Sequence, residues 1–96
     1  MMEIENIRLD NGNAMGLRWN LGNAYLLIIK REKGYLMCGY LNMEIANRVG
    51  DIAGIVSGVS TFDEMLEKPV NVLSKKAIET GIKPGINGKE FLELLG

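Results

Sequence analysis

The apolar residues of this chain change their spacing once, near Asn42, and that change limits what it can fold into. Before it they recur mainly at every second position, the period of a strand with one covered face. After it they come in short stretches at helical spacing, separated by turn residues and brief apolar runs. Ninety-six residues have room for one core, so the two regimes must share it. The expected architecture is an α/β (α+β) fold in a single compact domain, residues 1–96. An antiparallel β-meander over residues 1–40 would be followed by a mixed helix and strand part over 41–96.

Met2 to Leu9 alternate imperfectly, with a shift of phase near Asn6 that predicts a β-bulge or a change of partner. Asp10-Asn11-Gly12-Asn13 is a turn, because Asn and Gly tolerate positive φ. Met15, Leu17 and Trp19 form one apolar side of a second strand. Ala24 to Lys30 is apolar on both faces, as a central strand is. Lys30-Arg31-Glu32-Lys33-Gly34 reads as a charged hairpin loop, and Gly34 to Cys38 as the returning strand.

From Asn42 the signals are helical. Asn42 caps a short helix with Ile45, Ala46 and Val49 as its apolar stripe, and Gly50 ends it. Asp51 to Val59 reads as a strand apolar on both faces. Thr61 and Glu64 have capping-box spacing ahead of Phe62, Met65 and Leu66. Pro69 leads into a short strand over Val70 to Leu73. Ser74 caps a helix that stops at Gly81, and Asn87 with Glu90 forms a second capping box before Phe91, Leu92, Leu94 and Leu95.

Several function classes are disfavoured. Eleven basic residues against twelve acidic ones leave a net charge of −1, without the basic stripe of a nucleic-acid binder. The clusters Lys30-Arg31-Glu32-Lys33 and Lys75-Lys76 read as a solvated loop and a helix start. The longest strongly apolar run, Ala24 to Ile29, is far short of the ~20 residues a membrane helix needs. The N-terminus lacks the pattern of a signal peptide, so a cytoplasmic protein is expected. One cysteine and no histidine exclude an internal disulfide, a Cys/His zinc site and the usual base for a nucleophile. Asp51, Asp63, Glu64 and Glu67 lack a calcium-loop pattern. No metal and no cofactor are expected.

Two segments remain as candidate sites. Cys38, Gly39, Tyr40 and Asn42 join a strand end to a helix start, where unpaired amides gather. A small anion could bind there, or Cys38 could be an activated thiolate near the helix N-terminus, although a lone cysteine is more often a small buried hydrophobe. Gly54 and Gly58, read as lying two turns of pleat apart on one strand face, would let a helix, a second copy or a ligand approach closely. Neither a phosphate loop nor a dinucleotide fingerprint is present.

From Gly34 onward the chain resembles the YunC-like family of small bacterial and archaeal domains of unknown function. The resemblance lies in Gly34-Tyr35-Leu36-Met37-Cys38-Gly39-Tyr40-Leu41-Asn42, in Gly58-Val59-Ser60-Thr61-Phe62-Asp63-Glu64-Met65-Leu66 and in Thr80-Gly81-Ile82-Lys83-Pro84-Gly85-Ile86-Asn87-Gly88-Lys89-Glu90. Where relatives often carry a basic residue after the Gly-Val pair, this chain has Ser60. The resemblance implies an α/β domain whose N-terminal β region mediates association into dimers or tetramers, and it implies no activity. The leading expectation is therefore a homo-oligomeric binding or regulatory module without catalysis. The alternatives are a small enzyme using Cys38 and a binder of small anions.

Overall fold

The structure, a computed structural model, describes residues 2–96; Met1 lies outside them. Strand β1 (Met2–Leu9) turns through Asp10 and Asn11 into β2 (Gly12–Asn20), which pairs with β3 (Tyr25–Lys30) and through it with β4 (Tyr35–Met37). Helix α1 (Met43–Val49) then crosses to β5 (Ala53–Ile55). Helix α2 (Phe62–Glu67), strand β6 (Val72–Leu73) and helices α3 (Lys75–Glu79) and α4 (Gly88–Glu93) complete the chain. The six strands form one sheet in sequence order. Among the described strands only β4 and β5 are parallel neighbours, joined by the helical crossover that parallel pairing needs.

The caps named from sequence set the helix starts. Asn42 Oδ1 accepts from Glu44 N–H at 2.7 Å, and Gly50 ends α1 with φ 79°. Asn87 and Glu90 form the reciprocal capping box of α4. At α2 the box is shifted. Thr61 Oγ1 accepts from Glu64 N–H, but the Glu64 carboxylate reaches past the cap to Ser60 N–H at 2.8 Å.

Residues opposite one another in a ladder share a face, so the register assigns both sides of the sheet. The inner side carries Ile7, Leu9, Ala14, Leu27, Ile29 and Leu36, buried with Phe62 and Met65 of α2 and Phe91 and Leu92 of α4. Gly16 and Gly54 sit where helical rings press on the strands. A Cβ at Gly16 would fall 2.7 Å from Phe62 Cε1, and one at Gly54 would fall 3.1 Å from Phe91 Cζ. The outer side carries Met37, Ala53 and Ile55 beneath Ala46 of α1.

Three sequence expectations are corrected, and a fourth is borne out with its side of the sheet now assigned. No bulge interrupts β1: its register runs evenly from Met2↔Trp19 to Leu9↔Gly12. The apparent phase shift arises because Met2 and Ile4 face outward while Ile7 and Leu9 face the core. The Met15, Leu17 and Trp19 side of β2 exists, but it is the outer side, and the core receives Ala14 and Gly16 instead. In α1 only Ala46 is buried, because the helix lies over the end of the sheet and leaves Ile45 and Val49 exposed. Strand β5 has three residues rather than nine. Beyond it the chain turns, with Gly58 at φ 70°, so Gly54 and Gly58 do not share a strand face.

Candidate functional site

The parallel pair β4 and β5 delivers two loops to the same end of the sheet, where α/β folds place their ligand crevices. Residues 38–42 leave β4 through a turn in which Leu41 N–H donates to Cys38 O at 3.3 Å. Residues 56–61 leave β5 after Val56 N–H has donated to Met37 O at 3.0 Å. The loops lie side by side: a Cβ on Gly39 would stand 3.6 Å from Ser57 Oγ.

The second loop is fastened from outside by three side chains. Lys68 Nζ donates to Gly58 O at 2.7 Å and Arg18 Nε donates to Ser60 O at 2.7 Å. Glu64 accepts from Ser60 N–H, and that bond is the main reason its carboxyl is held below its ordinary pKa. Arg18 is itself fixed, with its guanidinium carbon 3.7 Å from the centre of the Tyr25 ring and Nη1 2.9 Å from Glu3 Oε1. A loop of small residues is thus held in one shape by groups from β2 and α2.

Between the loops and the start of β3 lies a crevice of about 520 Å³, lined by Ala24, Tyr25, Cys38, Gly39, Tyr40, Gly58, Val59 and Ser60. None of these side chains is charged. Four of the residues named from sequence therefore meet here: Cys38, Gly39, Tyr40 and Gly58. Asn42 does not line it; it caps α1 and borders a groove of about 380 Å³ on the outer side, with Ile28, Met37, Leu41 and Ile45. Gly54 lies in the core under Val70 and Phe91. Tyr25 and Val59, with the fastening residues Arg18 and Lys68, were not singled out from sequence as site residues, and Ser60 was noted only as a departure from relatives. A charge between Leu17 and Trp19 at a core-side position was the one signal that could have pointed to Arg18.

Cys38 is 3% exposed, and its sulfur accepts Leu27 N–H at 3.3 Å. It belongs to the inner core, whereas α1 packs on the outer side of the sheet. The expected proximity of the thiol to the helix N-terminus is corrected: alternate residues of a strand point to opposite faces, and Met37, not Cys38, points toward α1. Among the described residues no group of three or more Asp, Glu, Cys or His could hold a metal ion. No described helix is long and apolar enough to cross a membrane.

Residues 37–95 match the family described as a domain of unknown function (DUF1805). The chain belongs to the DUF1805 family. It is also 28% identical to the uncharacterized protein YunC of Bacillus subtilis (strain 168), over 96% of this chain and 95% of that one. The crystal structure of a protein of unknown function, TA1206 from Thermoplasma acidophilum, matches with a TM-score of 0.94 at 47% identity, covering 100% of this chain and 94% of that one. The DUF1805 match begins at the end of β4 and so takes in both loops of the crevice. The strands β1 to β3 lie before it, but the two relatives extend over them.

Proposed function

We propose that this DUF1805 domain is a self-associating binding module without catalysis, and that copies meet through the outer face of β1 to β3. One observation carries the reading: around Met2, Ile4, Leu17, Trp19, Leu26 and Ile28 that face is apolar, with Asn6, Arg8 and Lys30 toward its other end, and α1 covers only the far strands. Ile4, Leu17, Ile28, Met37 and Ile55 form one unbroken row across the sheet by register, and Met2, Trp19 and Leu26 form a second. Ile4 is 65% exposed, Met15 63% and Trp19 47%. Contiguous apolar patches beyond about 300–600 Å² are uncommon on monomers and mark interaction surfaces.

A second copy fits this face better than a different partner. The face carries both projecting side chains, Met15 and Trp19, and the apolar groove beside Ile45. A two-fold axis places the projections of each copy against the groove of the other. The free edge of β1 is a poorer contact, since Glu3, Glu5 and Arg8 lie along it and charges discourage edge pairing. A Cys38 enzyme has no support in the geometry, because the sulfur is buried in the inner core and no charged side chain lines the crevice beside it.

Sedimentation velocity and native mass spectrometry test the reading. A dimer or tetramer at micromolar concentration is expected, dissociating only on strong dilution. A folded monomer throughout the concentration range overturns it.

A further inference from the structure

We infer that the crevice at the ends of β4 and β5 is a site for a small, flat, uncharged heteroaromatic molecule with hydrogen-bonding groups on its edge, about the size of a nucleoside. The inference goes beyond self-association and uses none of the outer-face side chains.

Three observations converge on that ligand class. The first is size: about 520 Å³ falls within the 300–1,000 Å³ of sites that hold small molecules. The second is the character of the walls. Two tyrosines and the apolar groups of Ala24, Cys38 and Val59 offer flat, uncharged contact. Arg18 covers one face of Tyr25 at 3.7 Å, which holds that ring in place, and Tyr40 is 53% exposed. Aromatic platforms of this kind stack on heteroaromatic rings without needing charge.

The third is the hydrogen-bonding inventory. Among the described residues, the amide N–H groups of Gly39, Tyr40, Ser57, Gly58 and Val59 have no protein partner, and neither do the hydroxyls of Tyr25 and Tyr40. The carbonyls of Gly39, Tyr40, Ser57 and Val59 are likewise without a protein partner, so the two loops offer both donors and acceptors to the edge of a ligand. A phosphate or carboxylate also accepts, but no cationic side chain lines the crevice. The nearby cations are engaged, Lys68 on Gly58 O and Arg18 on Ser60 O and Glu3. An uncharged ring with both donors and acceptors on its edge meets the walls and the free backbone groups.

The fastening of residues 57–61 by Lys68, Arg18 and Glu64 gives the site its preorganisation. A loop already held in one shape loses little freedom when a ligand arrives.

The test is titration of the isotopically labelled, full-length protein with adenosine, followed by amide chemical shifts, with inorganic phosphate as a second probe. Adenosine is expected to give saturable shifts at Gly39, Tyr40, Ser57, Gly58 and Ser60, little changed by salt. Gly39→Leu should abolish them by filling the crevice; the position tolerates a side chain, since Ser57 Oγ at 3.6 Å is an ordinary contact. Tyr40→Ala should weaken binding about tenfold or more, the scale of a lost stacking partner, and it serves if Gly39→Leu does not fold. The inference is overturned if adenosine gives no saturable shifts, if the shifts persist in both variants, or if phosphate alone shifts the same amides equally.

Discussion

Ile4 stands directly opposite Leu17 across the β1–β2 ladder, on the side of the sheet that α1 leaves open. The pair sits in a continuous apolar row, yet Ile4 is largely exposed. In a lone chain such a side chain contributes little to stability. Ile4→Lys combined with Met15→Lys should therefore change the unfolding free energy by only about 0.5 kcal/mol per site. The same pair of changes should convert the associated protein to monomer, read by sedimentation velocity beside a circular dichroism melt. An unchanged assembly would place the contact elsewhere.

Ser74 ties three parts of the chain together with one buried hydroxyl. Its Oγ accepts from Ala53 N–H at 3.0 Å and Ala77 N–H at 3.2 Å, and donates to Asp51 O at 2.7 Å. It is at once the cap of α3 and a bridge to the start of β5. Ser74→Ala should cost about 2–3 kcal/mol, more than an exposed cap, because buried donors lose their acceptor. Urea denaturation measures this. A loss below about 1 kcal/mol would mean that the freed amides find water.

Gly88 and Gly39 make a contrast. A Cβ at Gly88 would run into the Met65 carbonyl, since α4 crosses α2 at that point. A Cβ at Gly39 meets only Ser57 Oγ. Gly88→Ala should destabilise by about 3 kcal/mol or more through forced separation of the helices, and Gly39→Ala should be near neutral. Thermal melts of both variants decide it, and equal effects would refute the packing argument.

The element order and most caps were legible in the sequence because they rest on local chemistry. Asn42, Ser74 and Asn87 satisfy amides two or three residues away, and Gly50 and Gly81 end helices by adopting positive φ. What depended on distant contacts was not legible. The spacing of Met15, Leu17 and Trp19 marked an apolar side but could not say that no helix lies over it. The length of β5 was overestimated because Val56 and Val59 are buried in a loop, where an apolar run looks the same as in a strand. Three crevice residues, Cys38, Gly39 and Tyr40, were found from one strand-to-helix junction, and Gly58 from the separate glycine pair. Tyr25 and Ser60 reach it from separate elements, Tyr25 through the antiparallel pairing of β3 with β4 and Ser60 through the parallel pairing of β4 with β5.

Tyr35 donates its hydroxyl to Asp51 Oδ2 at 2.7 Å, across the mouth of the α1 crossover. Burial, then the hydrogen bond to Asp51 and its negative charge, push the phenol up to about 12 from 10.0. The neutral phenol is the form the fold favours. Its stabilising contribution is complete below the unfolded value of 10.0 and is lost as the pH rises toward 12. A phenolate step near pH 12 is expected by ultraviolet difference absorbance, and Tyr35→Phe should remove it and flatten the alkaline fall in stability between those values. A step at the ordinary value would mean that the Tyr35–Asp51 bond does not hold in solution.

The place of the Cys38 thiol in the inner core decides between packing and chemistry. Cys38 Sγ is shielded by Leu27 and the loops above it, so a water-soluble disulfide reagent can reach it only when the end of the sheet opens. Labelling of the native protein should be slow, should accelerate in denaturant, and should follow the opening equilibrium rather than the thiolate fraction alone. Adenosine should slow it further if the crevice is occupied, because Cys38 forms its floor. Cys38→Ala should cost about 1–2 kcal/mol as a small cavity and leave the assembly state unchanged. Rapid stoichiometric labelling at neutral pH without denaturant would contradict the buried thiol and return Cys38 to the list of reactive groups.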